Sequence, residues 1–164
     1  MQRYLKHFLT TQWQLQRSFP RTTLDVIEEA VRSAEKQHSG EICFAIESRL
    51  AFKRLRAGLN ARRRAYELFA HLGVWNTHAN NGVLIYLLLA ERDIEIVADR
   101  GFMGKVSDAE WEAICHEMEA QFRAGHFEEG ARVAIERVSD LIALHFPPVP
   151  GDRNELPDAP LVIG

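Results

Sequence analysis

The sequence lacks the features that would place it in several common classes of protein. It has only two cysteines in 164 residues, Cys43 and Cys115, and both lie in apolar patterns that indicate a reduced core rather than a disulfide framework. Its longest apolar run, 83–90, is far too short to span a bilayer. Residues 1–19 contain no continuous apolar stretch of the kind a signal peptide needs. These absences together predict a cytoplasmic protein.

The sequence also lacks the short motifs of well-known enzyme classes. It contains no GxSxG, no P-loop, no GxGxxG and no HExxH, the patterns of serine hydrolases, nucleotide-binding proteins and zinc peptidases. The net charge of −3 gives no overall attraction to nucleic acid, and we expect no nucleic-acid partner. The sequence therefore does not show a complete set of catalytic residues.

What is present is the composition of one ordinary globular domain. Hydrophobic residues make up 46% of the chain and charged residues 26%, which is typical of a folded domain of this length. The patterns divide the chain into an N-terminal amphipathic helix at 1–20, an α/β domain at 21–146, and a proline-rich tail at 147–164 that we expect to be unstructured.

Hydrophobic periodicity predicts the element order α-α-β-α-β-β-α-α. A capping box, Ser107 with Glu110, predicts the start of one helix. The predicted helices cover 1–17, a segment that starts at Thr22 or Thr23, 59–72, the segment after Ser107, and 127–145. The predicted strands cover 41–48, 83–90 and 94–98.

The connections between the predicted strands define the fold class. A helical crossover joins the first two strands, so they should run parallel. A tight turn joins the second and third, which indicates an antiparallel hairpin. Helices must then cover both faces of the sheet. The sequence thus predicts a three-layer α/β/α fold with a small mixed sheet.

This topology gathers the polar residues of three loops, 39–41, 77–82 and 99–102, at one edge of the sheet. Each has a functional and a structural interpretation. Asp108 fits a metal ligand or a favourable charge at a helix N-terminus, and Asp99 with Arg100 fits an ion or metal site or a simple ion pair. Asn80-Asn81-Gly82 is typical of a turn. The candidate binding residues are Glu41, His78, Asn80, Asn81 and Arg100, and the candidate metal ligands are Asp99 and Asp108.

The stretches NNGVLIYLLLAERDIEIVADRGFMGKVSDAEWEAI and FRAGHFEEGARVAIERV resemble the TPM domain family, over roughly residues 22–146. The Asn-Asn-Gly and Ala-Asp-Arg-Gly forms resemble its cytoplasmic bacterial branch, whose members are often encoded beside LemA-type and secreted TPM proteins. The resemblance implies a three-layer α/β/α fold. It also implies divalent-metal binding or weak acid-phosphatase activity in some members, and accessory roles on protein complexes in others.

The chain departs from the family pattern at the predicted site. Many relatives carry Asp-Asn-Gly where this chain has Asn80-Asn81-Gly82, and Gly-Tyr-Gly where it has Asp99-Arg100-Gly101. The first change removes a carboxylate and the second adds one. The only cofactor we expect is therefore a weakly bound calcium or magnesium ion held by Asp99 and Asp108, since hard cations prefer several oxygen ligands.

Two surface segments suggest partners. Residues 49–64 are basic, with no acidic residue from Ser48 to Tyr66, which fits either a solvated face or a docking surface for an acidic partner or anionic lipid. The apolar side of the N-terminal helix (Leu5, Phe8, Leu9, Trp13) should be buried on the domain or on a second copy.

The patterns and the family resemblance together suggest two functions. The first is a non-catalytic binding or accessory module that acts on a protein complex at a membrane surface, with another protein as its partner. The resemblance implies a LemA-type or another TPM protein as that partner. The alternative is a divalent-metal-dependent acid phosphatase, in which water attacks as the nucleophile.

Overall fold

The chain forms a mixed sheet between two layers of helices. The computed structural model describes residues 2–164, and within them seven α-helices and four strands follow one another. The helices are α1 (Gln2–Leu9), α2 (Gln12–Ser18), α3 (Arg21–Ala34), α4 (Phe52–Arg56), α5 (Ala61–His71), α6 (Asp108–Arg123) and α7 (Phe127–His145). The strands are β1 (Glu41–Glu47), β2 (Gly82–Leu88), β3 (Asp93–Ala98) and β4 (Leu161–Ile163).

The strand order is β3-β2-β1-β4. β1 and β2 run parallel, with Glu41 opposite Gly82, and β2 and β3 run antiparallel, with Val83 opposite Ala98. Both pairings follow the sequence prediction, and the three-layer fold is confirmed. β2 lies between β1 and β3 in the sheet and is covered by helices on both faces, so all seven of its residues are buried. This position explains why the sequence of β2 is a continuous apolar run.

Each face of the sheet carries its own part of the core. Helices α3, α6 and α7 cover one face, where buried residues such as Ile27, Phe122 and Ile135 pack against the strands. Helices α4 and α5 cover the other face, where Leu55 and Leu68 pack against β2. Among the described residues, no helix combines the length and the apolar character that a membrane crossing requires.

The N-terminal segment is two helices, so the prediction of one helix at 1–20 is wrong. The break falls at Thr10 and Thr11, between α1 and α2. The Gln14 N–H donates to the Thr11 hydroxyl at 3.3 Å, and the Gln14 side chain accepts from the Thr11 N–H at 3.0 Å. This capping box starts a new helix, because it satisfies backbone groups that a continuous helix would have paired internally.

Other element boundaries also differ from the prediction. Helix α3 begins at Arg21 after Pro20, and Thr23 does not cap it, since its hydroxyl donates to Glu128 at 2.8 Å. The short helix α4 was not predicted, because its five residues are too few to show a period. The capping box that opens α6 is present as predicted, with Ser107 and Glu110 bonded reciprocally.

The proline-rich tail carries the fourth strand, so the prediction of an unstructured tail is wrong for residues 161–163. Leu161 to Ile163 pair in parallel with Ala45 to Glu47 of β1. Leu161 and Ile163 also pack against the core on the α5 side of the sheet. The physical reason is that the outer edge of β1 would otherwise leave backbone N–H and C=O groups without partners.

Candidate functional site

Three loops meet at one edge of the sheet, where β1 and β2 begin and β3 ends. The Asp99 N–H donates to the Gly82 carbonyl, and the Gly101 N–H donates to the Asn80 carbonyl, both at 2.9 Å. Glu41 lies opposite Gly82 in the β1–β2 pair. We call this region, formed by 39–41, 77–82 and 99–102, the loop edge. The predicted strand directions were sufficient to bring these loops together.

The Asn80-Asn81-Gly82 turn is built by close backbone packing. Asn80 adopts a positive φ of 53°, which asparagine tolerates better than most residues. A Cβ at position 82 would collide with the Val74 carbonyl oxygen, so glycine is required there. The fully buried Asn81 donates from Nδ2 to the Ser39 carbonyl at 2.6 Å. The turn therefore ties the start of β2 to the start of β1.

Asp99 and Arg100 do not form an ion pair with each other among the described residues. Asp99 Oδ1 instead accepts from the Arg100 N–H at 2.7 Å, and so caps the single helical turn Arg100–Phe102. The Arg100 Nε donates to Asn80 Oδ1 at 2.8 Å. Two buried oxygens, Asp99 Oδ2 and Asn81 Oδ1, find no hydrogen-bond donor within residues 2–164.

Glu41 and His78 both contact the C-terminal tail. The two carboxylate oxygens of Glu41 accept from the backbone N–H groups of Glu155 and Leu156, each at 3.1 Å. Burial raises the pKa of Glu41, although these two bonds oppose the shift. The His78 N–H donates to the Glu155 carboxylate at 3.0 and 3.1 Å, while the residue itself is exposed. No sequence pattern indicates that the tail covers Glu41, because the two segments are more than 100 residues apart.

Asp108 lies near Asp99 at the same edge. Both residues line a small cleft of about 140 Å³ together with Arg62. The Arg62 guanidinium donates to Glu95 at 3.1 Å and to the Ile96 carbonyl at 2.7 Å. Within residues 2–164, no three His, Cys, Asp or Glu side chains are grouped so that they could hold a metal ion. Oxygen ligands at the loop edge would have to include amide or backbone oxygens.

Neither cysteine is placed for nucleophilic chemistry at neutral pH. Burial raises the pKa of the Cys43 thiol to about 11, and the nearby Glu35 carboxyl contributes to the shift. Burial likewise raises the pKa of the Cys115 thiol to about 12. Because the thiolate is the reactive form, both thiols stay protonated and inert.

Helix α1 is attached to the domain through its polar side. Its one buried side chain in the described residues is His7, whose Nδ1 accepts from the Leu50 N–H at 3.1 Å and whose Nε2 lies 2.6 Å from a Glu91 carboxylate oxygen. Arg3 donates to the same Glu91 oxygen at 2.8 Å and to the Leu59 carbonyl at 2.6 Å. These bonds fix the rotation of α1, so its apolar side faces away from the domain.

The outward side of α1 joins α4 in an exposed apolar surface. Phe8 is 77% exposed, Phe52 66%, Leu5 56% and Tyr4 42%. The Tyr4 and Phe52 rings meet edge to face, with their centroids 6.1 Å apart, beside a groove of about 670 Å³. We call these four residues the docking surface. The apolar side of the N-terminal helix was predicted to be buried on the domain or on a second copy; burial on the domain is wrong, and burial on a second copy stays a prediction.

The basic segment 49–64 is only partly a solvated face. Arg64 binds the buried Glu47 through Nε at 2.7 Å and Nη2 at 3.2 Å, and Arg62 binds Glu95 as described above. The sequence pattern could not show these pairs, because both acidic partners lie outside the acid-free stretch. The remaining basic residues are Arg49, Lys53, Arg54, Arg56 and Arg63, and all of them are exposed.

A family model and a solved structure each match most of the chain. The model of one family, described as the TPM domain, matches residues 16–141. The solved structure of the BA42 protein from the psychrophilic bacterium Bizionia argentinensis is similar, with 31% sequence identity and a TM-score of 0.75. That match covers 86% of this chain and 92% of BA42. No functionally curated protein matches the chain.

Two further solved structures share the fold alone. The N-terminal domain of a protein from P. gingivalis has a TM-score of 0.59 at 21% identity, and the match covers 74% of each chain. The N-terminal domain of the cg2496 protein from Corynebacterium glutamicum has a TM-score of 0.53 at 15% identity. That match covers 74% of this chain and 72% of the other.

Proposed function

Because this chain belongs to the TPM domain family, we propose that it is an accessory binding module that attaches to a larger assembly through the docking surface. The orientation of α1 carries this proposal. A helix that only stabilised its own domain would turn its apolar side inward, but His7 and Arg3 hold α1 with that side outward. Exposed apolar patches of this kind mark interaction sites.

The hydrogen bonds at the loop edge support a binding role over catalysis. The Glu41 carboxylate is occupied by the tail, Asn80 Oδ1 by Arg100, and Asp99 Oδ1 by a backbone N–H. A metal-dependent phosphatase needs carboxylates that are free to hold an ion and position water. Among the described carboxylates at this edge, only that of Asp108 and the second oxygen of Asp99 remain free, and these are too few ligands to hold an ion and position water.

Hydrolysis of p-nitrophenyl phosphate should not depend on Asp99 and Asp108. We expect wild type and the Asp99→Asn, Asp108→Asn double variant to show the same background rate, with or without millimolar magnesium, calcium or manganese. The matched control is Asp25→Asn with Asp140→Asn, two exposed carboxylates on α3 and α7 that are not part of the loop edge. A metal-dependent rate that the double variant loses and the control keeps would establish the phosphatase instead.

Divalent-cation binding without catalysis is a second candidate function for the loop edge. Asp99 Oδ2 and Asn81 Oδ1 favour it, because buried oxygens without a donor are costly unless something else satisfies them. Calcium suits such a site better than magnesium, since it accepts irregular sets of carboxylate, amide and carbonyl oxygens.

Calcium titration should shift the amide resonances of 80–82 and 99–101 with a dissociation constant of about 10⁻³ M, in the range of weak sites with few charged ligands. Asp99→Asn should abolish these shifts while the rest of the spectrum stays unchanged. Asp108→Asn tests whether the exposed Asp108 carboxylate also binds calcium. Shifts that survive in Asp99→Asn would show that calcium binds elsewhere.

A further inference from the structure

We propose that the docking surface binds an anionic lipid bilayer. This inference rests on the proposed function and names the partner of that surface. Its first support is geometric. Helix α1 is fixed by polar bonds on one side and carries Tyr4, Leu5 and Phe8 on the other, and Phe52 of α4 extends the same apolar area. A helix with aromatic and aliphatic residues on its outer side suits the plane of a membrane interface.

The second support is the charge of the two segments that form the surface. Residues 1–24 and 48–66 contain 11 of the 20 lysines and arginines of the chain and none of its 23 aspartates and glutamates. The whole chain is nevertheless acidic, with a net charge of −3. Several of these cations lie on or next to α1 and α4, where they complement the negative potential of an anionic leaflet.

Part of this charge is available to a partner. Lys6, Arg49, Lys53 and Arg56 are exposed, and none of them forms an ion pair with any residue in 2–164. Arg49 also lines the apolar groove beside Phe52. Exposed cations that flank an apolar helix face can reach lipid phosphates while the apolar side chains enter the acyl boundary.

The same charge distribution disfavours a second copy of the chain as the partner. A symmetric dimer would bring the docking surface of one protomer against the identical surface of the other. The exposed cations around the two surfaces would then face each other, and like charges at an interface oppose association. A bilayer that contains anionic lipid presents the opposite charge, so binding to it does not bring like charges together.

Vesicle sedimentation tests the proposal directly. The full-length protein is mixed with vesicles of phosphatidylcholine alone or of equal parts phosphatidylcholine and phosphatidylglycerol. We expect binding to the mixed vesicles only, weakened by added salt because exposed charges are screened. Phe8→Ser with Phe52→Ser should lower the partition constant at least about tenfold. Lys53→Gln with Arg56→Gln should lower it by roughly fivefold for each cation removed.

Two controls separate the surface from general effects. Met103→Ser with Leu144→Ser removes two exposed apolar residues outside the docking surface and should bind like wild type. Because all the substituted side chains are exposed, every variant should melt like wild type. Equal binding of wild type and the Phe8→Ser, Phe52→Ser variant, or no binding of wild type to mixed vesicles, overturns the bilayer proposal.

Light scattering distinguishes failure of the bilayer proposal from failure of the proposed function. If wild type ignores vesicles but forms a dimer that Phe8→Ser with Phe52→Ser dissociates, the surface is a docking site for a second copy. In that case the binding-module proposal stands without the bilayer. If wild type is monomeric, ignores vesicles and behaves like the double variant in both assays, neither a bilayer nor a second copy occupies the docking surface, and the bilayer proposal falls.

Discussion

Arg64→Gln should lower the free energy of unfolding by roughly 3–5 kcal/mol, the range measured when one partner of a buried ion pair is removed. Glu47 lies in β1 with 6% of its surface exposed. Its carboxylate accepts two bonds from Arg64 and one from the Tyr86 hydroxyl at 2.7 Å. Without Arg64, a buried carboxylate would keep a single neutral donor.

Tyr86 cannot compensate for the lost arginine. It is fully buried in β2, and burial, together with the Glu47 charge, raises the pKa of its phenol. The phenol therefore remains a neutral donor at every accessible pH. One neutral hydrogen bond contributes only about 0.5–1.5 kcal/mol, which is much less than the cost of leaving a charge unpaired.

Urea unfolding of four variants measures the effect. Arg63→Gln is the matched control, because Arg63 is exposed on the same helix, and it should change stability by about 0.5 kcal/mol or less. Glu47→Gln, alone and combined with Arg64→Gln, completes a double-mutant cycle. We expect the double variant to be more stable than the sum of the single losses predicts. An Arg64→Gln protein as stable as Arg63→Gln would mean that the network contributes little.

Stability should fall more steeply in wild type than in Glu35→Gln between about pH 4.5 and pH 8. The pKa of Glu35 is raised to about 8, chiefly by burial and in smaller part by the nearby Glu41 and Asp158 carboxyls. At neutral pH the protonated Glu35 can therefore donate to Asp158, while its Oε1 accepts from the Ile42 N–H at 2.9 Å. Glutamine at position 35 offers the same donor and acceptor at every pH.

The sign follows from proton binding. The folded-state pKa of Glu35, about 8, lies above its ordinary value of 4.5, so between these two pH values the folded state holds a proton that the unfolded state has lost. Stability from this group is complete below about pH 4.5 and is lost as the pH rises through about 8. Arg32, whose Nε lies 3.3 Å from Asp158, keeps part of the attraction between α3 and the tail above that pH.

Thermal melts in paired buffers test this prediction. At about pH 9 Glu35→Gln should melt on the order of 5 °C above wild type, and at about pH 5 the two should nearly coincide. Glu117→Gln, an exposed substitution in α6, should follow wild type throughout. Parallel curves for wild type and Glu35→Gln would show that Glu35 does not carry the pH dependence.

The parts of the fold that depend on local pattern could be predicted from the sequence. The apolar run of β2 and the Ser107–Glu110 capping box each specify their element within a few residues. Strand directions then placed Asn80, Asp99 and Glu41 at one edge. The break at Thr11 was missed, because the apolar period continues across it and only the reciprocal bond with Gln14 interrupts the helix.

Most of the other missed features depend on contacts between distant parts of the chain. β4 is three residues long and has no signal apart from the open edge of β1 that it fills. Arg64 binds Glu47, and Glu41 binds the backbone of the tail. In both cases the sequence around either residue does not indicate its partner. The outward rotation of α1 likewise depends on Glu91, far along the chain. Periodicity identifies an apolar side but not the direction in which it faces.

The position of β4 has a consequence for biosynthesis. Its partner residues in β1 leave the ribosome more than 100 residues before it does, and synthesis at about 5–20 residues per second makes that an interval of many seconds. During this time the outer side of β1 is an unpaired strand edge, which other nascent chains can extend. The Glu35 side chain, which comes just before β1 and occupies the Ile42 N–H, is the first group able to block such pairing. The yield of correctly folded protein should therefore depend on how fast the last segment is translated.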